Sequence, residues 1–224
     1  RQAVRSRLAK VDDVRRQMPL PETAEELCSV ARAQGIRNPD DAVLLGANAT
    51  EGAIKALSAK GELAQLRVLH FATHGLLASE TAALASARNE PALMLTPPAI
   101  ASAKDDGLLT ASEIAELRLD ADLIILSACN TASGNGSSGS ALAGLARAFI
   151  YAGGRSLLVS HWYVDSLATV QLITGIFDDI RTANVGPAEA MRKSMARLIA
   201  TGGENSHPSR WAPFVVVGEG RSRS

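Results

Sequence analysis

Two side chains in this sequence are of types that can carry out covalent chemistry together, and each follows a short apolar run. The run Leu66-Arg67-Val68-Leu69-His70-Phe71-Ala72 breaks at Thr73-His74-Gly75, and Leu123-Ile124-Ile125-Leu126-Ser127-Ala128 delivers Cys129. An imidazole beside a thiol favours the thiolate, which can attack a carbonyl carbon, and the imidazolium can then protonate a leaving amine. A glycine directly after the base lets the backbone approach a substrate closely, so the N–H groups of Gly75 and Cys129 are candidate donors to the developing oxyanion. The same residues have a plainer reading, since a cysteine closing an apolar strand also suits a small core residue, and a lone histidine can simply be buried and hydrogen-bonded. The coincidence of both at the same end of two expected strands, beside glycine-rich breaks, favours chemistry.

Other candidates are weaker. His70 and His74 are four residues apart, which on a strand separates them by about 13 Å, so no zinc site is expected; no other metal or cofactor is expected either. His70 reads as a buried, hydrogen-bonded histidine, His207 as a loop residue and Cys28 as a core residue of an amphipathic helix. The stretch Ser133 to Ser140 is rich in glycine and serine, but no Gly-Lys-Ser/Thr follows it, which argues against a phosphate loop. It reads instead as a loop at the mouth of the site, and no serine stands in a G-x-S-x-G setting.

The elements that must position these residues are legible as runs of two kinds. Leu66 to Ala72, Leu123 to Ala128, Ser156 to Ser160 and Phe214 to Val217 are nearly continuous in apolar character, as parallel strands covered on both faces are, and Val43 to Leu45 is a weaker fifth. Helical patterns are expected over Glu22 to Gln34 with Gly35 as its stop, Glu51 to Ser58 behind Thr50, and Ala111 to Leu117 behind the Thr110/Glu113 capping box. Ala141 to Ala152, Ser166 to Arg181 and Pro187 to Thr201 are amphipathic and long enough to cover a sheet. Alternation at this spacing predicts an α/β fold, a mostly parallel sheet with helices on both sides. In such a fold the reactive crevice lies beyond the carboxyl ends of the strands.

Composition sets outer bounds. The chain has 224 residues with Lys plus Arg and Asp plus Glu at 23 each, so no global field favours nucleic acid or an anionic membrane surface. No apolar run reaches the length of a membrane span. Two cysteines in unlike contexts fit a reducing, cytoplasmic setting in which a thiol stays free to react. Residues 1–20 read as the basic helical end of an upstream region, 21–218 as the domain and 219–224 as a polar tail.

The quoted runs also resemble a known family. His70-Phe71-Ala72-Thr73-His74-Gly75, Asp106-Gly107-Leu108-Leu109-Thr110-Ala111-Ser112-Glu113-Ile114, Leu126-Ser127-Ala128-Cys129-Asn130-Thr131, Gly144-Leu145-Ala146-Arg147-Ala148-Phe149 with Tyr151-Ala152-Gly153-Gly154, and Trp211-Ala212-Pro213-Phe214 are similar, in order and spacing, to the blocks of the CHAT domain. The resemblance implies a caspase-like three-layer α/β/α sandwich, of the clan that includes separase. It also implies a cysteine endopeptidase acting on a protein or peptide, with His74 as base and Cys129 as nucleophile. It further implies association with tetratricopeptide repeats on the same polypeptide and regulation by them or by a partner. A catalytically silent interaction domain of the same fold is the alternative. The chain departs from the family pattern at Asn130, where glutamate is more common, and at His161 and Ser166 within Ser160-His161-Trp162-Tyr163-Val164-Asp165-Ser166. In this clan the loop after the strand beside the nucleophile's strand helps line the P1 pocket. That places Trp162 as an apolar wall and Asp165 as a partner for an arginine or lysine of the substrate. Asp165 also suits a helix cap ahead of Ser166.

Overall fold

The computed structural model of the chain describes residues 8–127, 138–161 and 166–220, with the backbone alone at 138–142 and at 166. Among the described residues the main sheet is built from β1 (Val68–Phe71), β5 (Leu123–Leu126), β6 (Ser156–Ser160) and β7 (Phe214–Gly218), in the order β1-β5-β6-β7. A smaller antiparallel sheet holds β2 (Gly75–Leu76), β3 (Ala92–Met94) and β4 (Leu108–Thr110). The small sheet was not expected, because strands of two or three residues are too short to show a period.

β1, β5 and β6 are parallel, and their apolar side chains divide between two faces as the pleat requires. Ile124, Leu126, Leu157 and Val159 pack with α3 (Glu51–Ala59), α5 (Ala111–Ala115) and α6 (Ser138–Tyr151), where Phe149 meets Phe71 with ring centroids 5.4 Å apart. Leu123, Ile125 and Leu158 pack on the other face with α2 (Glu22–Ala33), α7 (Ser166–Ala183) and α8 (Pro187–Thr201). The result is the three-layer α/β/α arrangement with a mostly parallel sheet.

β7 departs from the expected parallel set and runs antiparallel to β6, with Ser160 opposite Phe214 and Ser156 opposite Gly218. The reason lies in the connection. One helix returns the chain to the starting end of a sheet and allows a parallel strand, whereas α7 and α8 in succession bring it back to the end where β6 finished. As an edge strand, β7 keeps Val215, Val216 and Val217 only half-buried. The weak candidate Val43 to Leu45 joins neither sheet, because two 3-10 turns, Pro39–Asp41 and Gly46–Asn48, leave it too short to pair.

The helices start as their caps predict. The Thr50 hydroxyl accepts from the Ala53 N–H at 3.0 Å, and the Thr110/Glu113 capping box is formed on both sides. Gly153, just after α6, has φ 112°, and a Cβ there would lie 2.1 Å from the Leu119 carbonyl oxygen, so only glycine fits.

Residues ahead of α2 contribute to the fold as well. Ala9 and Val14, the latter on α1 (Val11–Arg15), are buried with Leu76, Ala92, Met94 and Leu108 of the small sheet and with Leu84 of α4 (Ala78–Leu84). The Ala9 N–H donates to Asp106 Oδ2 at 2.9 Å, the Lys10 N–H to the Leu84 carbonyl at 3.1 Å, and the Arg15 guanidinium to the Pro98 carbonyl at 2.7 Å. Among the described residues no helix is long and apolar enough to cross a membrane.

Candidate active site

β1 and β5 lie side by side in parallel register, Phe71 opposite Leu126, and the Ser127 N–H donates to the Phe71 carbonyl at 3.0 Å. His74 follows Phe71 by three residues, and Cys129 follows Leu126 by the same three. The two candidate residues therefore leave neighbouring strands at matched distances along the chain. Cys129, Trp162 and Asp165 lie outside the described residues. The geometry of the site is consequently that of its histidine side.

His74 stands where the chain passes from the main sheet into β2, and it is half-buried, so solvent reaches it. Its backbone is held by Met94 of β3, whose N–H donates to the His74 carbonyl at 2.9 Å while its carbonyl accepts from the Thr73 hydroxyl. The imidazole is held too, since Nε2 lies 2.7 Å from the Met18 carbonyl oxygen. A carbonyl can only accept, so Nε2 carries the hydrogen and, in the neutral ring, Nδ1 carries the lone pair. Met18 is brought there by the segment that α1 and its anchors fasten to the small sheet. No property of a methionine side chain signals this role, because the functional group is a backbone oxygen.

Gly75 is buried and opposes Leu93. The neighbouring pair His74 and Met94 exchanges a backbone hydrogen bond, so Gly75 and Leu93 form the non-hydrogen-bonded pair that must alternate with it. The Gly75 N–H therefore points away from β3, toward the open edge of β2, which is the end strand of its sheet.

A charged network braces the small sheet from behind. Glu51, 1% exposed, accepts through Oε2 from the N–H groups of Asp106 and Gly107 at 2.7 and 3.1 Å, and through Oε1 from Lys55. Lys55 also reaches Glu113 at 3.1 Å, and Arg88 joins Glu113 and Asp106 at 3.4 and 3.3 Å. Burial, helped by the nearby Glu113 charge, pushes the Glu51 carboxyl up to about 7 against the Lys55 hydrogen bond and the Asp106 N–H. For Glu113 burial acts in the same direction but is outweighed by the N–H and hydroxyl of Thr110 and by Arg88 and Lys55, so its pKa is lowered. Lys55 is held above the usual lysine value, because the Glu51 and Glu113 contacts outweigh its burial.

The side chain of His70 is buried and hydrogen-bonded as expected. Its Nε2 lies 2.6 Å from Ser127 Oγ and 3.1 Å from Glu26 Oε1, and Ser127 donates to that same Glu26 oxygen. Glu26 escaped the sequence reading because Glu22, Glu25 and Glu26 together look like a solvated helix face. The available signal was its place four residues before Val30, on the buried stripe of α2. Cys28, expected in the core, is only half-buried, because its position on α2 lies off that stripe. His207 sits between short 3-10 turns, with Nδ1 2.8 Å from the Ser209 hydroxyl. Among the described residues no three His, Cys, Asp or Glu side chains converge as a metal site requires.

Comparison with known proteins agrees with the fold. A family model described as the CHAT domain matches residues 4–219. Tetratricopeptide repeat protein 28 of Mus musculus is 27% identical over 223 residues, covering 89% of this chain and 9% of its own length. The protein of the same name from Homo sapiens is also 27% identical over 223 residues, with 8% of its length covered. The chain thus spans less than a tenth of these relatives. By the extent of the family match and by its α/β/α architecture, the chain belongs to the CHAT domain family, whose relatives include the caspase-like peptidases.

Proposed function

We propose that this domain is a cysteine endopeptidase in which Cys129 is the nucleophile and His74 the base. The observation that carries this reading is the Met18 carbonyl on His74 Nε2, which leaves Nδ1 as the proton acceptor on a ring held at the end of β1, beside the strand that leads to Cys129. In the first step the Cys129 thiol gives its proton to Nδ1 and the sulfur attacks the scissile carbonyl carbon. The resulting imidazolium keeps its Nε2–H on the Met18 carbonyl, which stabilises the positive ring. The carbonyl oxygen, now carrying negative charge, accepts from the Gly75 N–H at the open edge of β2 and from the Cys129 N–H. Collapse of the tetrahedral intermediate breaks the C–N bond, and the imidazolium returns its proton to the departing amine. Water, deprotonated by the same Nδ1, then hydrolyses the thioester and restores the thiol.

Asp165 and Trp162 line the P1 pocket in this reading, and arginine or lysine is the preferred P1 residue. Tetratricopeptide repeats in the relatives' name suggest the regulatory setting, in which such repeats or a partner protein gate the domain. The reading is tested by assaying a library of fluorogenic peptides with wild type, Cys129→Ala and His74→Ala, alongside circular dichroism. Both variants are expected to keep the wild-type spectrum and lose cleavage. Turnover by either at a rate near wild type would overturn the assignment.

A further inference from the structure

Four residues before His74 on the chain, on the α2 face of the sheet, lies a polar cluster that the chemistry above does not use. His70 from β1, Ser127 at the end of β5 and Glu26 from α2 meet there, with the side chains of His70 and Glu26 only 7% and 4% exposed. The serine has a single hydroxyl hydrogen, which it gives to Glu26, so His70 Nε2 is the donor, its hydrogen shared between the serine oxygen at 2.6 Å and Glu26 Oε1 at 3.1 Å. This is not a second hydrolytic dyad. The carboxylate sits on the serine rather than on the far ring nitrogen, and His70 Nδ1 is buried without a partner among the described residues. The surroundings are apolar, with Val30, Leu123 and Ile125 in the same layer, so the three polar groups must hydrogen-bond to one another to be tolerated there. Such a cluster has one low-energy arrangement, whereas apolar side chains of the same volume would slide.

We propose that Glu26 is a positioning residue for the Cys-His pair. One oxygen, Oε1, is in reach of groups on two different strands, four residues before His74 on one and two residues before Cys129 on the other. By gripping both, it fixes the two strand ends against α2 and against each other, and so sets the separation of thiol and imidazole. The inference rests on the assignment of Cys129 and His74 made above.

The test is the rate of Cys129 alkylation by iodoacetamide as a function of pH, read by peptide mapping on the whole chain, with thermal melting in parallel. In wild type the rate should reach its plateau well below the ordinary thiol range near about 8.5, and His74→Ala should abolish that advantage. Glu26→Ala is expected to slow alkylation at neutral pH on the order of tenfold and to move the midpoint toward the ordinary range. Glu26→Gln keeps an oxygen that can accept both bonds and should stay within about threefold of wild type. Val30→Ala, on the same helix and in the same layer, should lower the melting temperature and leave the midpoint in place. Ser127→Ala removes a single oxygen and should shift the midpoint in the same direction even if Glu26→Ala does not fold. A wild-type profile in Glu26→Ala or Ser127→Ala, or an equal shift in Val30→Ala, overturns the positioning role while the dyad stands. An ordinary thiol profile in wild type, indifferent to His74→Ala, overturns both.

Discussion

Replacing Glu51 by glutamine should change how the stability of the domain depends on pH. The carboxyl of Glu51 titrates near 7 in the folded chain against 4.5 when unfolded, because its 1% exposed position removes it from water. Between those two values the folded chain holds a proton that the unfolded chain has released. The sign follows: the contribution of this group is fully present below the unfolded value and is lost as pH rises through about 7. Integrating the difference in bound protons gives a loss on the order of 2 to 3 kcal/mol between pH 5 and pH 8, attributable to this one group. Urea unfolding of wild type and Glu51→Gln at intervals across that range measures it, with the variant serving to cancel every other titration. Wild type should lose roughly that amount relative to the variant on going from pH 5 to pH 8. Lys55 and the two backbone donors act in the opposite sense, holding the carboxylate ionised. If they win, wild type will instead gain on the variant as pH rises, and the argument from burial is refuted. The outcome bears on the site, because the loop that Glu51 holds leads into β4, and β4 pairs through β3 with the strand that carries Gly75.

Gly153→Ala should cost about 3 kcal/mol or more and lower the melting temperature by roughly 10 °C, since alanine fits neither the φ of 112° nor the 2.1 Å approach to the Leu119 carbonyl; a drop under about 2 °C in a thermal scan would contradict this. Asp165→Ala should reduce cleavage after arginine by about tenfold or more while sparing other P1 residues, in keeping with loss of a charged hydrogen bond. Uniform loss across a P1 library, together with a lower melting temperature, would mark Asp165 as the cap of α7 instead.

What the sequence disclosed and what it hid divide along physical lines. β6 and α8 fall within the expected bounds, Ser156 to Ser160 and Pro187 to Thr201, because a fully buried strand and an amphipathic helix with proline at its start write their surroundings into residue type. Thr110 and Glu113 announced their helix because the capping box is a side-chain device. The direction of β7 was open to inference from the two helices ahead of it, which return the chain to the wrong end for a parallel strand. β2 and β3 were not, since their pairing depends on backbone groups of residues such as Gly75 and Ala92 that carry no pattern of their own. The candidate site divides in the same way. His74 was visible by type and place, whereas the Met18 carbonyl that fixes its tautomer is a backbone atom 56 residues upstream. His70 hinted at a buried partner, because an imidazole within an apolar strand must find one, but only the packing of α2 identifies it as Glu26.

Selective alkylation tests the central claim most directly, since it needs no knowledge of the substrate and carries its own control in Cys28, a half-buried thiol on α2. The chain is treated with limiting iodoacetamide at neutral pH and the two cysteine peptides are quantified. An activated pair predicts labelling of Cys129 well ahead of Cys28, with that preference lost in His74→Ala. Equal, slow labelling of both cysteines, unchanged by His74→Ala, would contradict it and leave a silent interaction domain as the reading.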